Sequence, residues 1–136
     1  MTLAELWERV RDRLLGGAQP HTRARGAGAE RAAARYLRRQ GYRILERNLQ
    51  VAGAEVDLVA AHDGWLVVVE VRSYKGEEDR RPRGTLSPDK QHRLRRAAEE
   101  LHQRPRWRER PVRVDLVEVR TDERDRAVGY EIIKGI

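Results

Sequence analysis

Two valine-rich runs, Gly53-Ala54-Glu55-Val56-Asp57-Leu58-Val59 and Leu66-Val67-Val68-Val69-Glu70-Val71-Arg72, stand either side of Asp63-Gly64. Type I′ turns require positive φ at both central residues, and Asp-Gly accepts that conformation, so the spacing predicts a two-residue β-hairpin. With His62 and Trp65 flanking the turn, Val59 is set opposite Val68, Leu58 opposite Val69, Asp57 opposite Glu70 and Glu55 opposite Arg72. Directly opposed side chains have Cβ atoms about 4.5–5.5 Å apart, where like charges repel. The flanking residues are apolar on both faces of the hairpin, so both faces are expected to be covered. Two facing carboxylates on a covered sheet cost several kcal/mol, in order of magnitude, unless positive charge lies between them. A divalent cation is one answer; structural arginines neutralising the pair are the other.

The rest of the chain supplies helices around this hairpin. Leu3, Leu6, Trp7, Val10 and Leu14 recur at helical spacing and predict an amphipathic helix ending near Gly16-Gly17. Residues 1–20 are thus read as a helix and linker, expected to dock on the core or on another subunit of a homodimer. Residues 21–136 form the main domain. An alanine-rich helix over residues 23–40 carries Glu30, with Gly41 suited to the position after its end. Strands follow at residues 42–49, 54–61 and 65–72. Residues 73–86 hold Lys75, Arg80, Arg81 and Arg83 without apolar periodicity and read as a basic loop. Ser87-Pro88 combines an N-cap with a proline at the first helical position and opens a helix to about His102. A strand over residues 112–119 and an edge strand over residues 130–133 complete the order. The pattern predicts an α/β fold with a mixed central sheet flanked by helices.

These segments fall into an ordered pattern. Gly26-Ala27-Gly28-Ala29-Glu30 leads into a helix; Gly41-Tyr42-Arg43-Ile44-Leu45-Glu46-Arg47-Asn48 follows. Then come Glu55-Val56-Asp57, Glu70-Val71-Arg72 and Lys90-Gln91-His92-Arg93-Leu94. A helix glutamate, Glu-x-Asp ending one strand and Glu-x-Lys/Arg on the next resembles the PD-(D/E)XK nuclease superfamily. Within it the chain resembles the YraN-type family of uncharacterised bacterial proteins, related to archaeal Holliday-junction resolvases. The resemblance covers about residues 23–119 and implies a restriction-endonuclease-like fold, with the N-terminal amphipathic helix lying outside it.

The same resemblance implies a Mg²⁺ or Mn²⁺ site built from Asp57, Glu70 and the carbonyl of Val71, with Glu30 completing the shell and Glu55 behind it. It also implies phosphodiester hydrolysis on DNA, branched or otherwise structured as for the resolvases; the alternative is a nucleic-acid-binding module that retains the fold without turnover. Hard oxygen ligands holding Mg²⁺ suit that chemistry, which needs an activated water and neutralised phosphoryl charge. Arg72 stands where the superfamily usually has lysine. Arginine stays protonated and cannot act as general base, although it can bind a phosphate bidentately and stabilise developing charge. Ala54 likewise departs from an expected glycine. Arg23, Arg25, Arg72, Lys75, Lys90, Gln91 and Arg93 are the expected nucleic-acid contacts. Each has a plainer reading as a solvated or structural side chain. Arg104-Pro105-Arg106-Trp107-Arg108 interleaves cations with an aromatic, as single-strand binders do, or else Trp107 caps the core.

Composition agrees with an anionic partner without requiring one. The net charge is +7 and the isoelectric point about 10.5. However, only Lys75, Lys90 and Lys134 among 29 basic residues are lysines, and such arginine enrichment also follows from a GC-rich genome. The absence of cysteine excludes disulfides and thiolate metal sites. The four histidines lack zinc-motif spacing, and no phosphate-binding glycine loop or Ser/His/Asp set stands out. No apolar run approaches the ~20 residues that span a bilayer, and acids interrupt the amino-terminal helix, so a cytoplasmic protein is expected.

Overall fold

Tight turns set the sheet. Asp63 and Gly64 hold φ of 48° and 84°, so β2 (Ala54–His62) returns as β3 (Trp65–Lys75) through the predicted type I′ geometry. Ala52 and Gly53, at 50° and 77°, turn β1 (Arg43–Val51) into β2 in the same way. The computed structural model describes residues 2–3, 20–76, 84 and 86–136, and the side chains of its first helix from Gly28 onward. The expected amphipathic helix before residue 20 falls almost wholly outside the described residues.

The first described helix, α1 (Pro20–Arg39), closes on Gly41 with φ 90°. Gly41 N donates to the Arg38 carbonyl and Tyr42 N to that of Leu37, the paired bonds of a Schellman end. The second, α2 (Pro88–His102), opens as its sequence predicts: Ser87 Oγ accepts from Lys90 N at 3.2 Å and Pro88 takes the first turn. β4 (Val112–Thr121) follows α2 and lies parallel to β3, whereas β5 (Ala127–Ile133) returns antiparallel to β4. The five strands stand in chain order, β1-β2-β3-β4-β5.

Alternation along the strands feeds two apolar layers. Val59, Leu66, Val68 and Val114 pack on Leu94, Ala97, Ala98 and Leu101 of α2. Leu58, Ala60, Val67, Val69 and Val117 pack on Ala33, Ala34 and Leu37 of α1. The result is a mixed five-stranded sheet flanked by two helices, consistent with a restriction-endonuclease-like fold. Trp107 belongs to the α2 layer and is buried, with the Arg106 guanidinium 3.9 Å above its ring. It caps the core, the plainer of its two sequence readings. Among the described residues no helix is long and apolar enough to cross a membrane.

Besides register shifts at Ile44/Glu46 and Arg120/Thr121, alternation also resets beside Asp57. Val56 joins Val59 in the α2 layer while Leu58 lies in the α1 layer, which strict two-residue periodicity forbids. Asn48 in β1 has φ 50° and sits between the Arg47↔Leu58 and Leu49↔Val56 pairs, level with Asp57. Asparagine tolerates this left-handed conformation better than other non-glycine residues. The β1–β2 hairpin therefore turns over just beyond Asp57.

Toward the β2–β3 turn the sheet buries another charge. Asp115 is fully buried and accepts from the Tyr42 hydroxyl (2.8 Å), Arg113 Nε (3.0 Å) and Gly135 N (3.1 Å). Arg113 Nη2 lies 2.7 Å from His62 Nδ1, whose ring stacks on Tyr42. A guanidinium can only donate, so His62 Nδ1 is the acceptor there.

Candidate functional site

The β2–β3 ladder runs from His62↔Trp65 to Leu58↔Val69 in the expected register, and there it stops. Beyond it β2 stays with β1 as far as Ala54, whereas β3 stays with β4 as far as Lys75. The strands part, leaving a fork. The expected oppositions of Asp57 to Glu70 and Glu55 to Arg72 are therefore not ladder pairs: Glu55 faces Gln50 on β1, and Arg72 lies beside Glu118 on β4. The cause is that β3 has a second, longer partner in β4, and a two-residue turn fixes register only where the strands remain paired.

Asp57 fills the fork. Its Oδ2 accepts from Val71 N at 2.7 Å, replacing the bond the ladder no longer supplies. In an extended strand the N–H and C=O of one residue point to the same side. On β3 the even-numbered residues turn toward β4 and its flanks, as Leu66 N to Pro111 O and Gly76 N to Thr121 O show. Val71 has the opposite parity, so its carbonyl faces the fork beside Asp57.

Three carboxyls meet there. Glu30 comes from α1, Asp57 from β2 and Glu70, only 8% exposed, from β3. Glu30 and Glu70 both lie close enough to Asp57 for its charge to act on them. Burial, with the charges of Asp57 and Glu55, pushes Glu30 up to about 8, although its bond to Asn48 opposes the shift. Burial and the Asp57 charge push Glu70 up to about 7. Asp57 is also raised, by burial first, against the lowering effect of the Val71 N–H. Glu70 Oε2 is buried with no hydrogen-bond partner among the described residues, so it is open to a donor or a cation. Lys90 from α2 approaches the other oxygen, with Nζ 3.2 Å from Glu70 Oε1.

This donor set is oxygen throughout and short of positive charge, which fits a hard divalent cation. As they stand, no three Asp, Glu or His side chains among the described residues are grouped to grip an ion. Glu30 and Glu70 flank Asp57, and burial raises all three carboxyls.

Other predicted residues lie at varied distances from the fork. Arg72 is half-buried on the same β3 face as Glu70, beside the 2%-exposed Glu118. Glu118 also accepts from Gly84 N, tying the end of the β3–α2 loop to the sheet. Gln91 donates from Nε2 to the Leu86 carbonyl (2.9 Å) and accepts from Arg95, so its amide braces the entry to α2. Lys75 sits at the far end of β3, 3.5 Å from Asp125 in the β4–β5 turn. Arg93 is exposed on α2. The side chains of Arg23 and Arg25, and all of Arg80, Arg81 and Arg83, lie outside the described residues. Sequence reasoning missed Asn48 and Glu118. The alternation Val112, Val114, Leu116, Glu118 already placed the latter on an inward face.

Comparison with known proteins gives one consistent result. The family model described as "Uncharacterised protein family UPF0102" matches residues 29–119, from the turn of α1 that holds Glu30 into the last residues of β4. A UPF0102 protein of Moorella thermoacetica is 39% identical over 113 residues, covering 83% of this chain and 94% of the relative. One from Roseiflexus castenholzii is 36% identical over 111 residues (79% and 88%). Another from Rhodococcus opacus is 41% identical over 100 residues (73% and 84%).

Proposed function

The chain belongs to the UPF0102 family, the YraN type of its sequence resemblance, and on that premise we propose that it is a metal-dependent phosphodiesterase acting on nucleic acid. The observation that carries this reading is the fork: one buried and two half-buried carboxyls beside a strand carbonyl, with Glu70 Oε2 buried and without a hydrogen-bond partner among the described residues. The resemblance to PD-(D/E)XK nucleases and archaeal Holliday-junction resolvases points the same way and favours DNA, branched or structured, as substrate. In this reading the protein works in the cytoplasm, where the substrate is, and the amino-terminal helix serves a homodimer or docks on the core.

Asp57, Glu70 and the Val71 carbonyl would hold Mg²⁺ or Mn²⁺, and Glu30 would complete the set directly or through water. A bound ion supplies neutralisation of phosphoryl charge and a water of lowered pKa. Arg72, two residues along the same strand face and so roughly 6.6–7 Å from Glu70, binds the scissile phosphate and stabilises charge that builds on it. It remains protonated throughout and takes no proton from water. Glu30, pushed up to about 8 by burial and by the charges of Asp57 and Glu55, would release its proton when cation charge enters. Exposed Arg93, Arg95 and Arg96 on α2, further along the helix than Lys90, offer phosphate contacts.

A second reading is a binding module that keeps the fold without turnover. It is favoured by Lys90, whose ammonium already lies on Glu70, and by Arg72 in the usual lysine position. A panel of duplex, flap, junction and single-stranded DNA, with Mg²⁺ or Mn²⁺, separates the two. The hydrolase cuts at least one substrate and loses cutting, not binding, in Asp57→Asn and Glu70→Gln. Salt-sensitive binding without metal-dependent products selects the module, and cleavage unchanged in both variants rejects the site.

A further inference from the structure

The Lys90–Glu70 contact poses a problem for any ion entering the fork. Lys90 Nζ is 3.2 Å from Glu70 Oε1, Glu70 is 10% exposed at its side chain, and the lysine's charge also acts on Asp57. The contact comes from a rigid position: Lys90 lies in the first turn of α2, which Ser87 caps through Lys90's own amide. Two cations cannot share one buried carboxylate without strong repulsion at these distances. The ammonium is nevertheless 37% exposed, and its flexible stem can carry it into water at little cost.

We propose that Lys90 is a resident counter-ion that a divalent metal must displace from Glu70, so that the lysine sets metal affinity and couples metal loading to the arrival of phosphate. This rests on the metal-site reading of the fork and goes beyond it in assigning what regulates occupancy. Without metal, the ammonium partly neutralises Asp57 and Glu70. With metal, it swings outward to the solvent side of the fork, where a nucleic-acid phosphate offers it a new partner. A phosphate that draws Lys90 away vacates Glu70 Oε1 for the ion, and by reciprocity the ion frees Lys90 for phosphate. The occupancy of the site would then stay low until substrate is present.

The test uses the full chain without nucleic acid. Mn²⁺ binding is measured by electron paramagnetic resonance and Mg²⁺ binding by calorimetry, for wild type, Lys90→Met, Lys90→Arg and Asp57→Asn. Met keeps the stem and removes the charge; Arg keeps both. The expected result is binding on the order of tenfold tighter in Lys90→Met, as for relief of about 1.4 kcal/mol of repulsion. Lys90→Arg remains like wild type and Asp57→Asn loses binding. Circular dichroism confirms the fold of each variant, and Lys90→Gln replaces Met if that variant misfolds. Unchanged or weaker binding in the uncharged variant, with wild type still binding, overturns the role of Lys90 and leaves the metal site standing. Absence of binding in every variant overturns both.

Discussion

Val71 donates its amide proton to Asp57 Oδ2 at 2.7 Å across the point where β2 and β3 separate. The bond keeps the fork open at a fixed width while turning a backbone carbonyl toward it. If Asp57 and Glu70 hold the ion, removing either carboxylate removes the site. Asp57→Asn and Glu70→Gln are expected to weaken Mn²⁺ binding and any cleavage at least about 100-fold, since even residues behind a metal ligand cost 10–100-fold. Thermal denaturation should show a melting temperature unchanged or raised, because a buried repulsion is relieved. A large fall in melting temperature would mark both residues as structural.

The raised carboxyls give stability a defined pH dependence. The folded state binds more protons than the unfolded chain between the ordinary carboxylate range and the folded values of about 7 for Glu70 and 8 for Glu30. Stability therefore falls as pH rises through that window and levels off above it. Glu30→Gln should flatten the slope and be more stable than wild type at pH 8.5, by of order 1 kcal/mol or more, with little difference at pH 4. Urea titrations at the two pH values measure this. In wild type, metal affinity should climb over the same window as protons leave the fork; a pH-independent affinity would speak against Glu30 and Glu70 lying beside the ion.

Asp115 is the opposite kind of buried charge, fully satisfied by Tyr42, Arg113 and Gly135. Removing one member strands the others. Asp115→Ala is expected to cost about 3–5 kcal/mol because the Arg113 guanidinium loses its partner, whereas the double change Asp115→Leu with Arg113→Met should recover most of that loss. Denaturant midpoints at constant m-value decide the matter.

On the proposed nucleic-acid face, each phosphate-bound cation contributes about one unit to the slope of log affinity against log salt. Arg93→Ala should lower that slope by about one and weaken binding to all sequences alike. Lys75→Ala, whose side chain is committed to Asp125 away from the fork, should change neither.

What the sequence made visible and what it hid follow from the range of the forces involved. Asp63-Gly64, Ser87-Pro88 and Gly41 act within four or five residues, so the β2–β3 turn, the start of α2 and the end of α1 could be read directly. The pairing of Leu58 with Val69 followed from the turn alone. The fork did not, because it depends on β3 finding β4 across the whole of α2, a contact no local pattern encodes. For the same reason Lys90 could be named while its seat on Glu70 could not. Asn48 left a faint mark, an asparagine inside a strand, whose meaning emerges only opposite Asp57.

The parallel pairing of β3 with β4 also governs when the pocket can exist. The β1–β2–β3 meander can form early from neighbouring residues, yet it lacks Lys90 and the strand that pulls β3 aside. Only after α2 crosses over and β4 docks do Glu30, Asp57, Glu70 and Lys90 occupy one place. A nascent or half-folded chain would therefore lack the complete fork, which comes into being only when strands far apart in sequence meet.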